Sequence, residues 1–289
     1  MKTMKKVVEI RKAPPQHWVG DGFPVRSMFS YDEPGQPLSP FLLLDYAAPW
    51  TVPPGTEPRG VGEHPHRGFE TVTIAYQGEI EHRDSAGHHG RIGPGDVQWM
   101  TAARGVVHEE KHGRELTKNG GPIQMAQLWV NLSAKLKMSE PRYQDILSDR
   151  IPIVEIPGGS VRVIAGEFRG TRGPAKTHTP VELWDVRLKG AADLEIPEGH
   201  SAALLVIDGR IQGASPGELI VLSREGSGVR VEAGVESRFL LLAGEPIDEP
   251  VVGYGPFVMN SEEEIRQAIR DYQNGQMGRL NDQDQGESR

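Results

Sequence analysis

Apolar runs of strand length, each closed within a few residues by Gly, Pro, Asp or Asn, recur from one end of this chain to the other. The first series is KVVEIRKA, PFLLLDYA, ETVTIAYQGEIEHRD, GDVQWMTA, GVVHEEKH and PIQMAQLWVNL. The second is IPIVEI, SVRVIAGEF, VELWDVRL, ADLEIP, SAALLVID, GELIVLS, GVRVEA and SRFLLLAGEP. Short runs with frequent turns predict an all-β chain, and 35 Gly and 23 Pro among 289 residues supply the turns. Two series of similar length predict a duplicated barrel: a first domain over 1–134, a linker with a short helical turn over 135–149, and a second domain over 150–289. The repeat is loose: His178-Thr-Pro180 stands somewhat as His64-Pro-His66 does, and Ser215-Pro-Gly-Glu218 resembles Gly93-Pro-Gly-Asp96. One segment has a different period. In NSEEEIRQAIRDYQ, Ser261 and Glu264 form a capping box, and Ile265, Ala268, Ile269 and Tyr272 fall on one stripe. This predicts an amphipathic helix over 261–274 packed on a barrel, followed from about 279 by a polar tail too poor in apolar residues to order.

Strand periodicity also selects the chemistry. Side chains of a strand alternate faces. Read as extended, 64–76 puts His64, His66, Glu70, Val72 and Ile74 on one face, so the two histidines point inward beside core residues. In GVVHEEKH the same alternation groups Val106, His108, Glu110 and His112, and leaves Glu109 on the other face. Inward imidazoles need partners, because a buried polar group without one is costly. His64, His66, His108 and Glu110 together make a three-histidine, one-carboxylate set that suits a divalent first-row ion. Four ligands leave two positions of a six-coordinate ion open, as a catalytic centre requires. A His-x-His pair alone is a weak signal, and solvated strands carry many; the two segments in phase make the case. Glu70 reads equally as a ligand, as an acceptor for an imidazole N–H or as a partner of Arg67. His82, His88, His89 and His112 read as solvated polar residues, and His17 and His200 as surface or cap residues.

Charge and composition exclude other classes. Acidic residues exceed basic ones to give a net charge of −8, which offers no general attraction to nucleic acid or anionic lipid. With no cysteine, any metal is held by His, Asp or Glu. The N-terminus has basic residues but no apolar h-region, and no run approaches a membrane span, so a cytoplasmic protein is expected.

The segments HPHRGFETVT and GRIGPGDVQWMTAARGVVHEE resemble the two cupin motifs as the pirin family writes them, and AQLWVNLSAKLKMSEPRYQ and GPFVMNSEEEIRQAIRDYQNGQMG extend the resemblance over nearly the whole chain. It implies a bicupin of two jelly-roll barrels, with metal in the N-terminal one only. It implies His64, His66, His108 and Glu110 as ligands and leaves Glu70, the ligand of a generic cupin, outside the set. Ala103 departs from the usual proline of the second motif, while Gly105 and His108 remain. The second half offers only His178 at a comparable place, so it is expected to hold no metal. The resemblance further implies a quercetin 2,3-dioxygenase: O2 is inserted into a flavonol, carbon monoxide leaves, and Glu110 is the expected base. Fe(II) is the expected ion, with Mn, Ni, Cu, Zn or Co able to occupy the same donors. Phe41, Leu43 and Phe69 are candidate walls of a flat substrate slot, though core packing explains each as well. The alternative is an iron-binding, redox-sensitive regulator that contacts transcription factors or metabolic enzymes without turnover. A metal-free isomerase or epimerase cupin fits the donor set less well. A monomer is expected, with a flavonol and O2 as small-molecule partners.

Overall fold

The computed structural model describes residues 3–34 and 38–280, so the expected tail beyond 280 lies outside the described residues. The first half runs β1 (Val7–Arg11), β2 (His17–Val19), β3 (Phe23–Phe29), β4 (Phe41–Val52), β5 (Gly60–His66), β6 (Phe69–Gln77), β7 (Ile80–Asp84), β8 (His89–Ile92), β9 (Val97–Thr101), β10 (Val106–His112), α1 (Arg114–Asn119), β11 (Gly121–Asn131) and β12 (Arg142–Ile146). The second runs β13 (Ile153–Ile156), β14 (Gly159–Ala165), β15 (Glu167–Phe168), β16 (Thr171–Arg172), β17 (Val181–Leu194), β18 (Ser201–Asp208), β19 (Leu219–Leu222), β20 (Val229–Gly244), β21 (Val252–Tyr254), β22 (Phe257–Met259) and α2 (Glu262–Gln273). No described helix is long and apolar enough to cross a membrane.

A broad sheet, β12-β9-β6-β11-β4-β3-β2, and a smaller one, β5-β10-β7-β8, enclose the first interior. The sheet β1-β19-β18-β20-β17-β14-β13 forms the second half. The sheets curl but stay open. Alternation along the strands gives each broad sheet two buried faces. In the first half, Val25, Ala47, Ala75, Ile80 and Met125 fill the interior. In the second, Val163, Trp184, Leu204, Val206 and Leu241 do so. Their neighbours Val72, Ile74, Trp99 and Leu128 meet Leu205, Leu240 and Leu242 in a third layer between the halves. Burial on both faces is why TVTIAY and SAALLVI read as nearly continuous apolar runs.

The duplication is visible in matched hydrogen bonds. Gly95 N donates to Ala75 O at 2.7 Å and Gly217 N to Val206 O at 2.8 Å. The side chains of Asp96 and Glu218 close their turns on Gly93 N and Ser215 N, both at 2.9 Å. β18 is therefore the counterpart of β6. The register corrects the expected match for His178. Asn131 N donates to Pro40 O at 2.8 Å and Glu245 N to Pro180 O at 3.0 Å. His178-Thr-Pro180 thus corresponds to Leu38-Ser-Pro40, ahead of β4 and β17, and not to the His64-Pro-His66 strand.

The chain ends cross between the halves. β1 pairs with β19 in the second sheet, whereas β22 bridges to Arg67 and α2 packs Ile265 and Ala268 with Val107 of β10. Within the segment read as a linker, Arg142–Ile146 forms β12 and adds an edge to β9. Ser261 accepts from Glu264 N, as the capping box requires.

Candidate metal centre

β5 and β10 pair antiparallel with His64 opposite His108. His66 lies two residues along β5 on the same face. The ligand atoms of His64, His66 and His108 lie within 4.8 Å of one another. His66 and His108 are buried and His64 is partly buried.

Their hydrogen bonds fix the tautomers. A carbonyl oxygen only accepts, so a ring nitrogen facing one carries the proton. His64 Nδ1 faces Gly62 O at 2.8 Å and His66 Nδ1 faces Pro256 O at 3.4 Å. Both rings therefore turn bare Nε2 atoms inward, and these stand 3.1 Å apart. His108 Nε2 is buried and has no partner. Burial lowers the pKa of all three imidazoles, His66 and His108 most strongly, and neighbouring histidines push in the same direction. Neutral rings with converging lone pairs are what a divalent ion binds and what a solvated polar cluster does not offer. The donors fit a first-row metal.

Glu110 is fixed beside the triad and outside that cluster. Its Oε1 accepts from Gln98 Nε2 at 2.9 Å and Thr73 Oγ1 at 3.1 Å, and its Oε2 from Gln127 Nε2 at 2.7 Å. Glu70 lies elsewhere. The expected face shared with the histidines assumed one continuous strand, but Gly68, at φ 94°, breaks the backbone between β5 and β6. A Cβ there would lie 2.0 Å from Val258 O. Beyond the break the phase inverts: Phe69 and Thr73 face the site, while Glu70 joins Val72 and Ile74 on the face toward the second half. There it accepts from Thr101 Oγ1 at 2.6 Å, with Arg142 at 4.0 Å. Burial pushes its carboxyl up to about 7 against those two contacts.

The strand motifs missed the surroundings of the triad. His82, read as solvated, is buried and approaches His108 Nδ1 at 3.4 Å. Asp84 sits behind it at 3.2 Å. Ile80, His82 and Asp84, buried, alternate with the half-buried Glu81 and Arg83 in IEHRD, a signal as clear as that in GVVHEE. His112 is also buried, but it donates to Gly22 O at 2.9 Å and packs edge-on against Phe23, which makes it structural. His66 abuts an aromatic wall: Phe69 at 5.1 Å, Trp129 stacked on Phe69 at 4.2 Å, and Tyr31 beyond Trp129 at 6.3 Å. Phe69 is fully buried with Leu42 and Val258, so core packing accounts for it. Phe41 belongs to the layer between the halves, and Leu43 pairs across from Trp129.

The C-terminal segment braces the motif from behind. Lys137 Nζ, buried, donates to Gly68 O and Asn131 Oδ1 at 2.7 Å and to Val258 O at 2.9 Å. Arg67 pairs with Asp271 of α2 at 2.7 Å with both side chains buried.

Family models for pirin and for the pirin C-terminal cupin domain match residues 22–130 and 183–278. A Pseudomonas aeruginosa protein with the provisional name quercetin 2,3-dioxygenase is 53% identical over 94% of this chain and 98% of its own length. Pirin of Homo sapiens is 41% identical over 83% of each chain. A crystal structure of quercetin 2,3-dioxygenase from Acinetobacter baumannii superposes with a TM-score of 0.91 at 48% identity, covering 96% of this chain and 99% of that one.

Proposed function

This chain belongs to the pirin family, and we propose that it is a metal-dependent dioxygenase that cleaves a quercetin-type flavonol with O2, releasing carbon monoxide and a depside. The observation that carries the reading is the triad: three neutral imidazoles whose bare Nε2 atoms converge next to an aromatic wall. The names of the P. aeruginosa and A. baumannii relatives support the substrate class.

His64, His66 and His108 would hold the ion, Fe(II) in our reading, with Glu110 beside them as a fourth ligand that would loosen from it to act as base. Bound there, it would supply Lewis acidity that lowers the pKa of a flavonol 3-hydroxyl. Glu110 accepts that proton. Thr73, Gln98 and Gln127 hold its carboxylate in one orientation, so the base is pre-positioned. Trp129 and Tyr31, partly exposed, would border a flat aromatic substrate, with Phe69 buried behind Trp129. Such a protein acts on small molecules in the cytoplasm and needs no nucleic acid.

The test is O2 consumption and carbon monoxide release with a flavonol panel on Fe(II)-loaded protein. Turnover that His66→Ala abolishes is expected. One bound metal per chain without turnover of any flavonol would overturn the dioxygenase and favour a metal-binding regulator.

A further inference from the structure

Behind His108 runs a chain of buried polar groups that the proposed reaction leaves unused. Asp84 accepts from Ala86 N at 2.9 Å and from His88 N at 3.1 Å, and its two oxygens face His88 Nδ1 at 3.2 and 3.1 Å. With so many donors aimed at it, the carboxylate is an acceptor only. His82 Nε2, 3.2 Å from Asp84 Oδ2, therefore carries the proton. The other nitrogen is bare, because it faces the amide donor Gln98 Nε2. His82 Nδ1 faces two groups at 3.4 Å, Gln98 Nε2 and His108 Nδ1. Gln98 is fixed as a donor there, because its oxygen takes the Tyr143 hydroxyl at 3.3 Å. His108 Nδ1 must likewise donate, which leaves His108 Nε2 bare, buried and aimed at the triad. Tyr143 holds His82 in place by stacking on it at 4.8 Å and on His88 at 5.8 Å.

We propose that His82 and Asp84 are positioning residues that set the tautomer of His108, so that its Nε2 meets the metal as a ready lone pair. The inference rests on the metal reading of the triad. His64 and His66 have their tautomers set by backbone carbonyls, which no substitution removes. His108 alone among the three depends on a side chain, and that side chain depends on a carboxylate. Without His82, His108 Nδ1–H loses its acceptor, and the proton gains by moving to Nε2, where it can bond a neighbouring bare Nε2. A metal must then displace it.

Two measurements decide this. Long-range 1H–15N correlation on metal-free, histidine-labelled protein reads the tautomer directly. Wild type should show His108 protonated on Nδ1, and His82→Leu should shift it toward Nε2. Competitive titration with Co(II) should keep one ion per chain in His82→Leu but weaken it about 10- to 100-fold, as loss of an outer partner typically does. His82→Gln, whose amide oxygen can accept the same bond, should recover most of the affinity. If His82→Leu does not fold, Asp84→Asn, which lets the amide donate to His82 and reverse the chain, should weaken Co(II) in its place. An unchanged His108 tautomer with unchanged affinity would overturn the proposal, and so would a glutamine variant as weak as the leucine one. If wild type bound no Co(II), the metal reading would fall, while the tautomer shift in metal-free protein would still decide the role of His82.

Discussion

His64 Nε2 and His66 Nε2 face each other at 3.1 Å, and the carbonyls at their Nδ1 atoms leave both as lone pairs. That arrangement is repulsive until a cation sits between them, so the triad is built at the expense of local stability. Glu70 shows the same economy in another direction. Its folded carboxyl is raised to about 7 from an ordinary value of 4.5. The folded state then holds a proton that the unfolded state has lost, so the part of the stability that Glu70 contributes falls as pH rises from about 4.5 to 7. Glu70→Gln removes that dependence while keeping an oxygen for Thr101. A carboxyl raised that far corresponds to about 3 kcal/mol, and urea unfolding at pH 4.5 and pH 8 should show the variant gaining most of it at the higher pH. A stability difference between variant and wild type that is the same at both pH values would show that Glu70 is ionised in the fold. The three histidines were legible because alternation in HPH and VVHEE survives folding. The side of Glu70 was not, because one glycine, Gly68, inverts the phase between two strands that the sequence writes as one.

Among the elements, β12 was hidden because RYQDI is polar, lies at a sheet edge and pairs only with β9. An edge strand half open to solvent carries no alternating apolar signal. α1 has six residues, too few to show a period. By contrast α2 was legible to within a residue at each end, because a capping box and a four-residue stripe act locally. β12 matters because it delivers Tyr143 to His82. β8 makes room for that ring with Gly90, where a Cβ would stand 2.0 Å from the Tyr143 hydroxyl oxygen. Gly90→Ala should therefore push the ring off His82. We expect a loss of about 1–3 kcal/mol in urea unfolding from overpacking, and weaker Co(II) binding by about 10-fold through the loosened His82. In a Tyr143→Ala background the same substitution should add almost nothing, since the clash has gone. An equal cost in both backgrounds would remove Tyr143 from the argument.

For the whole molecule, the duplication was legible in the two strand series, but the exchange of chain ends was not. Which strand β1 pairs with, and where α2 docks, depend on contacts across some 200 residues that no local pattern encodes. The exchange is not merely structural. It places Pro256 against His66, and Arg67, the residue after it, against Asp271. Burial would raise Asp271, and Arg67 and Gln267 hold it down. Asp271→Ala strands a buried guanidinium, which costs about 3–5 kcal/mol in comparable pairs. Arg67→Met with Asp271→Ala should recover much of that, because the charge and its partner leave together. The same single variant should weaken Co(II), though Asp271 lies 205 positions from His66 and on the other side of the second domain in sequence, because the strand that carries Pro256 is anchored through α2. Urea unfolding of the four members of the cycle, each followed by Co(II) titration, separates the two effects. A stability loss with unchanged metal affinity would mean that the C-terminal segment supports the fold alone; a loss of both ties the end of the second half to the metal of the first.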